Sequence, residues 1–208
     1  MANYVFEDGY SPYNPFPLFL WNHLVETILA AFYRDTPNIN LRRECLRTKD
    51  NGSVSLDWVP VDDRLLPADA PLLILLLCVT EGSEDSYVMH MLIRARDRGW
   101  RVVVFNRCGC GASPATTPQF YSTSFLGDIR EDGEVVDHVV GRYLEAYLYV
   151  VGWSLGANIL VHYLGHEFNA CHLSGVVSLC NPFNLVIADE DFHKGFNNIY
   201  DKFLSSIL

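Results

Sequence analysis

The stretch Leu148-Tyr149-Val150-Val151-Gly152-Trp153-Ser154-Leu155-Gly156-Ala157-Asn158 decides how this chain is read. An apolar run closes at Val151, Gly-x-Ser-x-Gly follows, and apolar residues resume from Leu155 to Leu164 at helical spacing. Strand, sharp turn and helix in that order, with a serine at the apex, form a nucleophile elbow. Such a serine sits on a strained turn so that its hydroxyl projects above the sheet. Gly152 and Gly156 remove side chains that would collide with the neighbouring strand and helix. The Leu155 N–H, at the helix start, faces the place where an oxyanion would develop, and the helix dipole favours negative charge there. Ser154 is the candidate nucleophile and Leu155 a candidate oxyanion donor.

Working outward, strand and helix patterns alternate. Leu72 to Cys78 is a solid apolar run, as expected of a strand covered on both faces. Tyr87, Val88, Met91, Leu92 and Ala95 repeat at helical spacing, with Gly99 as the stop. Val102 to Phe105 is the next strand, Leu126 to Tyr143 a helix, and Val176 to Cys180 a further strand after the elbow helix. Three or more alternations with short connections specify an α/β fold, a mostly parallel sheet with helices on both faces. Upstream, Asp50-Asn51-Gly52 is a hairpin turn, and Val54, Leu56 and Trp58 alternate with polar neighbours, which reads as antiparallel strands leading the sheet. Residues 1–40 form an arm with a greasy helical stretch, Phe16 to Tyr33, read as packed on the domain or lying on a membrane surface.

Bulk properties exclude several classes. A chain of 208 residues can bury a sizeable core, and a net charge of −10 argues against nucleic acid as a partner. The longest apolar run, Ala70 to Val79, is about half the ~20 residues of a membrane span. Six cysteines lie scattered without metal-ligand spacing. Several fall in strand-like runs, where a free cysteine behaves as a small buried hydrophobe. With no secretory leader read at the N-terminus, a reducing, cytoplasmic compartment is expected, with membrane contact at most peripheral. Gly109-Cys110-Gly111 follows a strand but lacks the further glycine and the immediate helix of a dinucleotide site.

The loop Cys78-Val79-Thr80-Glu81-Gly82-Ser83 precedes the first helix, and two readings of it stand. Val79 N–H is the second oxyanion donor, or the loop is a plain connection with Ser83 as N-cap.

His23-Leu24-Val25-Glu26-Thr27, Phe105-Asn106 with Gly109-Cys110-Gly111, Gly152 to Asn158, and Cys180-Asn181-Pro182-Phe183 together resemble one subfamily of α/β-hydrolases. It contains the plant embryogenesis-associated proteins, with animal lipid hydrolases and bacterial esterases as relatives. The likeness runs from about residue 14 onward. It implies a serine carboxylesterase, acylglycerol lipase or phospholipase using a Ser-Asp-His triad, without a cofactor, on a small acyl ester or lipid. Three positions depart from the family pattern. Leu77-Cys78 stand for a Pro-Gly pair, Glu81 for a glycine beside the oxyanion site, and Cys108 for an arginine.

In this fold the acid and histidine follow the nucleophile, on loops after later strands. Only 54 residues follow Ser154, with one recognisable strand. The chain therefore reads as a C-terminally truncated hydrolase, with core 41–183 and the start of a cap at 184–208. His162 and His166 lie roughly 12 and 18 Å along the elbow helix from Ser154, and His172 precedes its strand. His193 alone follows a strand on the correct side, where it is a base or part of a solvated helix start. Impaired esterase and non-catalytic degenerate hydrolase both remain open.

Overall fold

The computed structural model describes residues 35–47, 53–77, 82–107, 110, 126–167, 171–195, 197, 198 and 202, with side chains from 134 onward in the helix that begins at 126. Thr36–Leu208 form one compact unit. Residues 1–34, the hairpin turn 50–52, Val79 and Glu81 lie outside the described residues, as do Cys78 and Cys108.

Six strands build one sheet. They are β1 (Arg42–Arg47), β2 (Ser53–Trp58), β3 (Leu72–Leu76), β4 (Arg101–Asn106), β5 (Leu148–Trp153) and β6 (Gly175–Leu179), in the spatial order β1-β2-β4-β3-β5-β6. β1 pairs antiparallel with β2, and β2 with β4; β4, β3, β5 and β6 run parallel. Helix α1 (Ser86–Arg96) joins β3 to β4, α2 (Leu126–Arg142) joins β4 to β5, and α3 (Leu155–Glu167) joins β5 to β6. A short α4 (Leu185–Phe192) follows. The α/β expectation, with antiparallel strands leading a parallel sheet, holds.

The order of the strands explains the layers. β3 to β4 steps one way along the sheet, whereas β4 to β5 and β5 to β6 step the other way. Right-handed crossovers running in opposite directions place their helices on opposite faces. One core accordingly gathers Leu72, Ile74, Leu76, Val103, Phe105 and Val150 against Val135, Val136 and Val139 of α2 and Leu160 and Tyr163 of α3. The other gathers Leu73, Leu75, Val102, Val104 and Val151 against Val88, Met89, Leu92 and Ala95 of α1. Alternate residues of one strand enter different cores, so the unbroken Leu72–Leu76 run has no face left for water. Each Leu, Ile or Val so buried contributes roughly 1.5–3 kcal/mol.

Direction reverses at β3, so the connections after β3 and β5 lead to helices on opposite faces of the sheet. That switch point is where doubly wound sheets carry their sites. Gly99 stops the chain after α1 in the left-handed region (φ 78°), as expected of a glycine there.

β2 is buried on both faces, with Ser55 and Asp57 as enclosed as Val54 and Leu56. Two expectations are corrected. Ser83 does not cap α1; Asp85 holds the N-cap position, without a side-chain cap bond. The described cysteines are not core residues. Cys45 and Cys180 are exposed, and Cys110 and Cys171 half-buried; Cys45 lies on β1 and Cys180 just past β6, the two outer strands.

Candidate active site

β5 ends at Trp153 and α3 begins at Leu155, leaving Ser154 alone to turn the chain. Its φ is 50°, in the left-handed region that a residue with a Cβ occupies at a cost of roughly 1–2 kcal/mol. The strain is held from both sides. Ser154 N–H donates to the Leu179 carbonyl of β6 at 2.9 Å, and its carbonyl accepts from Asn158 N–H at 3.0 Å.

The flanking glycines are steric necessities. A Cβ on Gly152 would lie 2.8 Å from the Ala157 Cα and the Gly156 carbonyl oxygen. One on Gly156 would lie 2.7 Å from the carbonyl oxygens of Leu76 and Leu77. All of these are backbone atoms, which cannot rotate away. The elbow therefore rests directly on the carboxyl end of β3, at the switch point. Trp153 and Tyr87 of α1 meet edge-on beside it, ring centroids 5.2 Å apart. Leu155 opens α3, and its N–H is one of the donors left over at a helix start.

Asn158 joins two stretches that the sequence shows far apart. It is buried on α3, and its Nδ2 donates to Asn181 Oδ1 at 3.3 Å and to the Pro182 carbonyl at 3.1 Å. The turn after β6, with Cys180 at φ 52°, is thereby tied to the elbow helix.

Among the described residues no histidine is hydrogen-bonded to Ser154. His162, His166, His172 and His193 are all exposed. His193 ends α4, and its Nδ1–H donates to the Asp189 carbonyl at 2.8 Å, back into its own helix.

A polar cluster that sequence reasoning missed centres on β2, three places from β5 in the sheet. Asp57 of β2 is 2% exposed. Arg43 of β1 grips it with two bonds, Nε to Oδ1 at 2.7 Å and Nη2 to Oδ2 at 2.6 Å. The Ser83 hydroxyl donates to Oδ2, as does Asn106 Nδ2 at 2.8 Å from the end of β4. Burial alone would push the Asp57 carboxyl up, but the bonds from Arg43, Ser83 and Asn106 outweigh it and hold the group below its usual range. The available signal was a carboxylate in strand alternation and an asparagine closing an apolar strand.

A family profile described as the alpha/beta hydrolase fold matches residues 71–206. The chain belongs to the α/β-hydrolase family. It is 59% identical over 203 residues to the embryogenesis-associated protein EMB8 of Picea glauca, covering 93% of this chain and 43% of that protein. Against the phospholipase ABHD3 of Homo sapiens it is 29% identical over 192 residues, covering 90% of this chain and 46% of that protein. The chain thus spans less than half the length of these curated relatives. An esterase from Pyrococcus furiosus shares the fold, with a TM-score of 0.60 at 18% identity, over 84% of this chain and 66% of that one. These likenesses bear out the α/β-hydrolase expectation for the chain, whose similar proteins include one named as a phospholipase and one as an esterase.

Proposed function

We propose that the chain carries the nucleophile half of a serine carboxylic ester hydrolase acting on acyl lipids or short-chain esters. The observation behind this reading is Ser154 itself, held at positive φ between two glycines whose Cβ positions are filled by backbone. In the reaction, Ser154 Oγ bonds to the acyl carbonyl carbon as its proton passes to a base. The carbonyl oxygen takes the negative charge under the N–H groups of Leu155 and Val79. Collapse breaks the ester bond and releases the alcohol with a proton, and water then cleaves the acyl-serine to the acid. A phospholipase and an esterase among the similar proteins support this substrate class. No described helix is long and apolar enough to cross a membrane; a cytoplasmic enzyme meeting lipid peripherally is the setting we propose.

The 208-residue chain by itself turns esters over slowly in this reading. No described histidine is bonded to Ser154, and a serine without a general base is a weak nucleophile at neutral pH. That same observation supports the second reading, a hydrolase fold retained without catalysis. Two measurements test the proposal. Hydrolysis of a p-nitrophenyl butyrate ester is expected to be near background for wild type and equal in Ser154→Ala. A fluorophosphonate probe, whose phosphorus is far more electrophilic than an ester carbonyl, is expected to add to the wild type and leave Ser154→Ala unmodified. Absence of any Ser154-dependent adduct would leave the non-catalytic reading standing alone.

A further inference from the structure

β6 is a weakly supported strand, and the backbone of Ser154 leans on it. Among the described residues it pairs with β5 alone, and Val176, Val177 and Ser178 stand exposed. Burial therefore does little to fix where its carboxyl end lies. Yet Leu179, the last residue of β6, supplies the carbonyl that accepts the Ser154 N–H.

Polar bonds supply what burial does not. The Ser154 carbonyl accepts from Asn158 N–H, one turn along α3, at 3.0 Å. The Asn158 amide donates in turn to Asn181 Oδ1 at 3.3 Å and to the Pro182 carbonyl at 3.1 Å. Asn181 donates from Nδ2 to Ser178 Oγ at 3.1 Å, back on β6. Ser178 adjoins Leu179, whose carbonyl returns to the Ser154 N–H at 2.9 Å. The ring is closed, and both peptide groups flanking Ser154 belong to it.

Two observations mark this ring as more than packing. Ser154 and Cys180, at φ 50° and 52°, are the non-glycine residues with positive φ among those described, and the ring holds both. Backbone in that region persists only where its surroundings over-determine it. The second observation is the placement of Asn158. It is 4% exposed, and its Oδ1 has no hydrogen-bond partner among the described residues. A buried carbonyl left unpaired costs stability, which an apolar side chain of similar shape would avoid. What the amide contributes is its pair of N–H bonds to the turn after β6, for the Pro182 carbonyl can only accept.

We propose that Asn158 and Asn181 are positioning residues that hold the turn after β6 against α3 and, through the Leu179 carbonyl, keep Ser154 in its strained conformation. This rests on the esterase reading given above, in which Ser154 is the nucleophile. The two asparagines act through the backbone and not on the substrate. Their effect on rate is large because a shift of about 1 Å at a reacting group can cost about 100-fold.

The experiment uses the purified 208-residue chain as wild type, Asn158→Ala, Asn181→Ala and Asn181→Asp, with Ser154→Ala as blank. Fluorophosphonate addition is followed by intact mass. That addition forms a Ser154 Oγ–P bond and expels fluoride, the hydroxyl proton passing to solvent. Asn181 is half-buried and outside the core, so Asn181→Ala is expected to melt close to wild type. It should nevertheless react about tenfold more slowly, and Asn158→Ala at least as slowly. In Asn181→Asp one carboxylate oxygen still accepts from Asn158 Nδ2 and the other accepts the Ser178 hydroxyl proton. The ring survives there, and most of the rate should return. Hydrogen exchange is measured in parallel on peptides covering 148–160, 172–184 and 86–96. Both alanine variants are expected to speed exchange in the first two and leave the third, α1, unchanged. Labelling of Asn181→Ala at the wild-type rate, or equal losses in Asn181→Ala and Asn181→Asp, overturns the proposal. So does exchange that is unchanged in 148–160 or raised alike in all three peptides. If wild type takes no label, the esterase reading fails separately, and exchange in 148–160 alone decides whether the two asparagines hold the elbow.

Discussion

The two outer strands of the sheet are opposites. β1 reads Arg42-Arg43-Glu44-Cys45-Leu46-Arg47, four charged residues in six, and among them Arg43 and Glu44 hold side-chain partners. Arg43 holds Asp57, while Glu44 accepts from Trp58 Nε1 at 2.8 Å, His138 Nε2 at 3.1 Å and Arg142 Nη1 at 2.9 Å. Burial raises the Glu44 carboxyl, but those hydrogen bonds and the Arg142 charge bring it below its usual range. β6 reads Gly175-Val176-Val177-Ser178-Leu179, with no charge at all. Val177 is 48% exposed, and beyond the strand Phe183 is 77%, Val186 69% and Ile187 56% exposed. A charged edge keeps its unpaired backbone in water and repels a further strand; an apolar edge is a template for one. The difference teaches that the two edges are written in side-chain chemistry, charged on β1 and apolar on β6.

Breaking the charged edge should have the largest effect. Asp57→Ala leaves Arg43, Ser83 and Asn106 without their shared acceptor and is expected to lower unfolding free energy by about 3 kcal/mol, measured by urea denaturation. A loss under ~1 kcal/mol would mean that the β1 side is held by its apolar contacts alone.

Acid should remove part of that same contribution. Folded Asp57 binds its proton less readily than an unfolded aspartate, so its stabilisation is complete above the unfolded pKa of about 3.9 and is lost as pH falls through the lower folded value. The melting temperatures of wild type and Asp57→Asn should therefore differ at pH 7 and converge toward pH 2. A constant gap would assign the effect to shape instead of charge.

The apolar edge should respond in association more than in stability. An exposed apolar patch of this kind predicts self-association of the wild-type chain on size exclusion with light scattering. Val177→Lys with Ile187→Lys should shift the population toward monomer while changing unfolding free energy by less than about 1 kcal/mol, because both side chains already stand largely in water. A monodisperse wild-type monomer would show that β6 is protected after all.

Much of the site was readable without coordinates, and for a definite reason. Gly152, Ser154 and Gly156 encode a steric problem within five residues, so their spacing carries the tight turn and its backbone strain. The Leu72–Leu76 run likewise announced a strand with two covered faces. Ser83 was misread because a serine two residues ahead of its helix's N-cap looks like a cap locally, while its partners lie 26 and 23 positions away. Asp57 drew no attention because alternation tells which residues share a face, never what covers it. The link from Asn158 to the turn at Asn181 and Pro182 was invisible for the same reason, although both stretches had been noticed separately.

By itself, the sequence determined the local geometry: the period of each element, the elbow and its glycines, and a doubly covered parallel sheet. Only the tertiary structure decided the strand order, and with it which polar groups meet. Periodicity and steric demand act over a few neighbouring residues, whereas the partners of Asp57, the covering of β2 and the bareness of β6 depend on which strands lie side by side, a choice that many orders of the same strands would satisfy locally.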